Sequence, residues 1–231
     1  MSEDHAVYKS VDGVLLTKDG SLLHTFPAGK TAETYTVPEN VRSILDYGFA
    51  GTGKLEKLVF PEGMTTLGRN ALRQGGFAEL ILPATVTEIG DYAAAETFRL
   101  KSVHIPDHVE RLGRCAFSNS AVALVTFGAG SGLRWVGTYA FSGCKALAGL
   151  NLPETVEHVG YGVIPEQNGM PGDADGNGKA DYADALLILR ASIGLVEMDE
   201  ALVKRCDMNG DGRADYADAL IILRRSIGLE G

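Results

Sequence analysis

A motif of the form apolar-x-apolar-Pro returns through the first two thirds of the chain at a nearly constant interval, and this constrains the fold more than any other feature. The copies are Tyr35-Thr-Val-Pro-Glu-Asn-Val, Leu58-Val-Phe-Pro-Glu-Gly-Met, Leu80-Ile-Leu-Pro-Ala-Thr-Val, Val103-His-Ile-Pro-Asp-His-Val and Leu150-Asn-Leu-Pro-Glu-Thr-Val. A degenerate copy, Val125-Thr-Phe-Gly-Ala-Gly, fills the remaining slot with Gly128 in place of proline, so the motif recurs every 22 to 25 residues. Such a period marks a solenoid: each unit is one short strand plus a return segment that buries its apolar side only against its neighbours.

Each copy continues into a second apolar set, such as Val86/Ile89, Val109/Leu112 or Val156/Val159. A short element then follows, as in Cys115-Ala-Phe117 or Tyr139-Ala-Phe141. Side chains alternate along a strand. Leu58, Phe60, Leu80, Leu82, Val103 and Ile105 are therefore expected inside, with Val59, Ile81, His104, Thr126 and Asn151 on an open sheet face that meets a ligand. That face has no aromatic platform for stacking on sugars, which favours a protein ligand. Upstream, Gly13 to Phe26 reads as two strands around Lys18-Asp19-Gly20, a hairpin that would cap the open edge of the ladder.

Over roughly residues 35 to 165 these elements, with their Ile-Pro-x-x-Val-x-x-Ile-Gly and Ala-Phe signatures, resemble the BspA-like class of bacterial leucine-rich repeats. The resemblance implies the fold and a surface, adhesive or other binding role, without naming a ligand.

Composition narrows the function further. A net charge of −9 and a pI near 5.0, with basic residues scattered, leave no footprint for nucleic acid. No stretch approaches the roughly 18 apolar residues of a membrane span, and Met1-Ser-Glu-Asp-His has no leader pattern. Cys115, Cys144 and Cys206 lack CxxC spacing and read as small buried side chains. His104, His108, Cys115 and His158 could be imagined as a thiol site, but no nucleophile turn or orienting acid accompanies them, so no catalytic residue and no organic cofactor is expected.

After Gly169-Met-Pro-Gly172 the pattern changes. Asp173-Ala-Asp175-Gly-Asn177-Gly178-Lys-Ala-Asp181-Tyr-Ala-Asp184 leads into an apolar helical run, and Asp207-Met-Asn209-Gly-Asp211-Gly212-Arg-Ala-Asp215-Tyr-Ala-Asp218 repeats it 34 residues later. In each twelve-residue loop, oxygen donors stand at positions 1, 3, 5, 9 and 12, a carbonyl at 7 and a turn glycine at 6, a set that suits calcium. From 167 to 231 there are 12 acids and 7 bases, a charge of −5 that two calcium ions would largely offset.

Position 12 is Asp rather than Glu, and no amphipathic helix precedes the first loop. Loop-then-helix, twice, over residues 170 to 229 resembles the type I dockerin. That resemblance implies two calcium ions. One is held by Asp173, Asp175, Asn177, the Lys179 carbonyl, Asp181 and Asp184, the other by Asp207, Asn209, Asp211, the Arg213 carbonyl, Asp215 and Asp218. It also implies a cohesin module of a scaffoldin as partner, with Tyr182-Ala183 and Tyr216-Ala217 at the places that contribute to cohesin choice.

Helical spacing puts Ala183, Leu187, Arg190, Ala191 and Gly194 on one stripe and Leu186, Leu189 and Ile193 on the next, one being core and the other free. The second copy puts Ala217, Ile221, Arg224, Arg225 and Gly228 on the equivalent stripe. The expected partner face is thus Tyr182, Ala183, Leu187, Arg190 and Ala191, or Tyr216, Ala217, Ile221, Arg224 and Arg225. Because Asp181 to Leu195 and Asp215 to Leu229 differ only at Leu187/Ile221 and Ala191/Arg225, two binding orientations related by a half-turn are expected.

The sequence therefore reads as α+β: a hairpin cap (1–34), a leucine-rich-repeat solenoid (35–165), a short linker (166–171) and a small all-α dockerin (172–231) with two calcium loop-helix motifs. The expected role is a non-catalytic, extracellular component of a scaffolded, cellulosome-like assembly. The competing reading is a free-standing surface adhesin whose calcium loops are purely structural.

Overall fold

The computed structural model describes residues 5–160, 162–163, 171–177 and 179–229. Apart from Pro171, the expected linker lies outside the described residues. In chain order the strands are β1 (Tyr8–Val11), β2 (Val14–Thr17), β3 (Leu22–Thr25), β4 (Thr34–Thr36), β5 (Ser43–Ile44), β6 (Lys57–Val59) and β7 (Thr66–Leu67). They continue with β8 (Glu88–Ile89), β9 (Ser102–Ile105), β10 (Arg111–Leu112), β11 (Leu124–Phe127), β12 (Trp135–Val136) and β13 (His158–Val159). Three helices follow, α1 (Tyr182–Ser192), α2 (Glu200–Cys206) and α3 (Tyr216–Ser226).

The alternation read from the repeat holds. Leu58, Leu80, Leu82, Val103 and Ile105 are buried and Phe60 is half-buried, while Val59, Ile81, His104, Thr126 and Asn151 are exposed. The continuous sheet, however, is built from the other apolar set. Its nine strands run β1-β2-β3-β5-β7-β8-β10-β12-β13, and the apolar-x-apolar-Pro motif pairs only locally, as β4 with β6 and β9 with β11. Proline follows β4, β6 and β9 within two residues and offers no N–H to a neighbouring rung, whereas Gly128 follows β11.

The second set is followed by glycine instead, at Gly68, Gly90, Gly113, Gly137 and Gly160. A Cβ on Gly113 would lie 2.4 Å from the Asp91 nitrogen, and one on Gly160 would lie 2.2 Å from the Thr138 nitrogen. Successive backbones can approach this closely only where no side chain intervenes.

The Ala-Phe element forms a third ladder that is neither helix nor strand. Tyr47, Asn70, Tyr92, Cys115 and Tyr139 all take a left-handed backbone. Tyr92 N–H thereby donates to the Arg114 carbonyl at 2.8 Å and Cys115 N–H to the Thr138 carbonyl at 2.9 Å, one rung further on. Phe117 N–H reaches the Ala140 carbonyl in the same way, and the Phe117 and Phe141 rings stack in the core at 5.2 Å.

At the start of the solenoid the expected hairpin is present as β2–β3, and β1 adds a third antiparallel strand. β3 then pairs in parallel with β5, so the hairpin is continuous with the ladder it covers.

The C-terminal unit has its own core of Ala174, Ala185, Ile188, Leu202, Cys206, Ala219 and Ile222. α1 packs on α3, and the short α2, capped by the Asp199 side chain on the Leu202 N–H, supplies Leu202 and Cys206.

Candidate metal centre and docking face

Each acidic loop is a run of aspartates bonded to its own backbone. Asp173 Oδ1 accepts from the N–H groups of Gly176 and Asn177 at 2.8 and 3.1 Å, and Asp175 Oδ1 accepts from Asn177 N–H at 2.9 Å. Asp184 Oδ1 takes the Ala174 and Asp175 N–H groups at 2.8 and 2.9 Å, and its Oδ2 takes Asp181 N–H at 2.8 Å. Asp181 in turn caps α1 through the Ala183 N–H, so position 12 ties the start of the loop to the start of the helix. The second loop repeats this: Asp218 Oδ1 accepts from Met208 and Asn209 and its Oδ2 from Asp215, which caps α3 through Ala217.

In the first loop Asp173, Asp175 and Asp184 are all buried, and their nearest carboxylate oxygens lie within 4.8 Å of one another. Burial pushes the Asp175 carboxyl up to about 8, reinforced by the charge of Asp184 and then of Asp173 and Asp181. Burial also raises Asp184 to about 6. Three buried, mutually repelling carboxylates are a poor arrangement without a counter-ion. An all-oxygen set of this kind fits a hard divalent cation.

Asn177 Nδ2 donates to Asp175 Oδ2 at 3.0 Å, and Asn209 Nδ2 donates to Asp211 Oδ2 at 3.1 Å. Asn209 stands where the first loop has Asp175. Asp218 is fully buried, whereas Asp207 is half-buried and Asp211 is exposed. Gly178, the turn glycine of the first loop, lies outside the described residues; its counterpart Gly212 has a φ of 85°.

The helix surfaces divide differently from the two stripes expected. Ala185 and Ile188 are the buried apolar residues of α1, and Leu187 is half-buried and packed on the same core. Leu186, Tyr182 and Ile193 are exposed, beside Arg190. In α3, Ala219 and Ile222 are buried and Ile221 is half-buried, leaving Tyr216, Leu220, Arg224 and Ile227 exposed. The reason lies in the packing of α1 against α3, which turns the 185/188 stripe inward and carries 187 to its margin.

The imagined thiol site does not assemble. His104 Nδ1 pairs with Thr126 Oγ1 and His108 Nδ1 with the Ala84 carbonyl, each at 2.9 Å. His158 stacks on Trp135 at 3.7 Å, and Cys115 is buried against Tyr92. Among the described residues none of these four bonds to another. Sequence reasoning did not single out the Arg111–Trp135–His158 column on the nine-stranded sheet, where Arg111 lies over the indole at 5.4 Å. The shared repeat position of 111, 135 and 158 was the available signal.

Comparison with known proteins finds a family for each of the two units. The profile described as BspA type leucine-rich repeat region matches six copies over residues 24–148, more than half of the chain. The chain belongs to the BspA-type leucine-rich repeat family. Behind its BspA-type repeats, residues 171–225 match the type I dockerin domain.

Solved structures similar to this BspA-type protein include the pneumococcal vaccine antigen PcpA, with TM-score 0.54 and 24% identity over 68% of this chain and 43% of that one. A leucine-rich repeat protein from Eubacterium ventriosum has TM-score 0.50 and 25% identity over 78% and 51% of the two chains. One from Bacteroides ovatus has TM-score 0.50 and 20% identity over 68% and 48%. The chain thus spans about half the length of these structures. No curated protein matches it. Both matched families are non-catalytic types, of the kind found in extracellular or surface proteins. Among the described residues no helix is long and apolar enough to cross a membrane.

Proposed function

We propose that this protein is a non-catalytic component of a scaffolded extracellular assembly, anchored by calcium-dependent docking of its C-terminal unit into a cohesin. The observation that carries this reading is the duplication of the acidic loop-helix unit, faithful to individual hydrogen bonds, within a region that matches the type I dockerin domain. Asp173, Asp175, Asn177, the Lys179 carbonyl, Asp181 and Asp184 would hold one calcium ion. Asp207, Asn209, Asp211, the Arg213 carbonyl, Asp215 and Asp218 would hold the second. Bound calcium supplies the positive charge that the buried carboxylates lack, so metal binding and folding of the unit are linked.

The partner-facing residues form two alternative sets, one for each orientation: Tyr182, Ala183, Leu186 and Arg190 on α1, or Tyr216, Ala217, Leu220, Arg224 and Arg225 on α3. The repeat domain presents a second surface, Val59, Ile81, His104 and Thr126, to a protein ligand. The test is native mass spectrometry of the intact chain with calcium and a panel of cohesins. The expected species is one chain with two calcium ions and one cohesin. A chain that takes up two ions and retains no cohesin would instead favour a free-standing adhesin with structural calcium.

A further inference from the structure

The two docking faces are alike in their own exposure: Tyr182 and Tyr216 are each 71% accessible, and Leu186 and Leu220 each 46%. They are unlike in what stands opposite them. Tyr182, Leu186 and Arg190 form one wall of a cleft of about 750 Å³ whose other wall is the end of the solenoid, including Thr138, Tyr139 and His158. None of Tyr216, Leu220 or Arg224 lines this cleft.

The loop beneath α1 shows the same asymmetry. Asp173 and Asp175 are 3% and 4% exposed, whereas their counterparts Asp207 and Asn209 are half-buried and exposed. Tyr139 of the solenoid packs on the core of the C-terminal unit. A cleft of this volume has the dimensions of a small-molecule pocket, about 300–1,000 Å³. A protein partner that must cover about 800 Å² per side needs more room than such a cleft offers.

We infer that the solenoid selects one of the two docking orientations: in the full chain a cohesin engages the α3 face, and the α1 face is sterically withheld by the last repeats. This rests on the docking reading above and adds to it that the repeat domain breaks the internal symmetry of the docking unit. The near-identity of the two helices makes the selection a property of the arrangement of the chain rather than of the faces themselves. A longer connection between the two units should therefore abolish it.

The experiment uses the full chain in calcium, with affinity for a panel of cohesins measured by biolayer interferometry. Two surface variants are compared, Tyr182→Ala with Arg190→Glu, and Tyr216→Ala with Arg224→Glu. Calcium-dependent melting of each variant should match the parent, because all four side chains are exposed. The α3-face variant is expected to lose about 30-fold or more in affinity, the scale of a lost hot spot, while the α1-face variant stays within about 3-fold of the parent.

Inserting a ten-residue Gly-Ser segment between Asn168 and Gly169 should return the α3-face variant to within about 3-fold of the parent by freeing the other face. Interchangeable faces in the unmodified chain would overturn the inference. So would loss through the α1 face, or an α3-face variant that the insertion does not rescue. If the parent binds no cohesin at all, the docking reading itself fails, which is a distinct result from cohesin binding through either face.

Discussion

At the scale of single residues, the acidic loops were legible because the same acidic and amide residue types return at corresponding slots of both copies. What the sequence could not show is that the first loop is buried and the second more open, since this depends on what packs over them. The burial has a consequence for pH. In the metal-free chain Asp175 is held up to about 8 and Asp184 up to about 6, above the unfolded carboxylate range. The folded unit then binds more protons than the unfolded chain from about pH 4 upward, so its stability falls as pH rises through these values. After calcium removal by dialysis, the melting temperature of the C-terminal transition should be lower at pH 8 than at pH 5. Saturating calcium should remove this trend. A flat or rising melting temperature in the metal-free chain over that window would contradict the assignment. In the solenoid the corresponding residue is glycine. Gly113→Ala forces a Cβ to within 2.4 Å of the neighbouring rung and should cost about 1–3 kcal/mol in urea denaturation. Gly149→Ala, with nothing within 4 Å, should be nearly neutral.

At the scale of elements, periodicity identified the rungs and their inward residues, yet it misplaced the continuous sheet. The apolar-x-apolar-Pro strands are the more conspicuous pattern, but a ladder needs an N–H from every rung and room between backbones. The two-residue strands ending in glycine meet both needs. The third helix was missed for a similar reason: α2 has only seven residues, too few for a periodic pattern, although Asp199 before Glu200 is a recognisable start signal. α2 places Cys206 in the C-terminal core, where burial pushes its thiol up to about 12. Cys206 is therefore a reporter for that unit alone. In calcium at pH 8 it should resist alkylation, and after chelation it should be modified at least several-fold faster. Cys115 and Cys144, buried in the solenoid, should stay protected under both conditions. Peptide mapping by mass spectrometry reads all three at once, and equal labelling of Cys206 with and without calcium would separate metal binding from the folding of this unit.

At the scale of the whole molecule, the order of the two units could be read from the change in composition near Gly172, whereas their mutual placement could not. The packing of Tyr139 on the C-terminal core and the cleft between His158 and Tyr182 arise from chain segments far apart in sequence, so no local pattern encodes them. The solenoid offers a stack of rungs with one broad exposed face, and the C-terminal unit offers three helices, of which α1 and α3 pack on each other and each follow an acidic loop. Under the proposed function, the protein is tethered at one end and recognises a ligand along the other. The most direct measurement is a calorimetric titration of cohesin into the full chain, once in calcium and once in chelator. The account predicts one-to-one binding in calcium and no detectable heat of binding in chelator. Binding that survives chelation, or its absence across a broad cohesin panel in calcium, would contradict it.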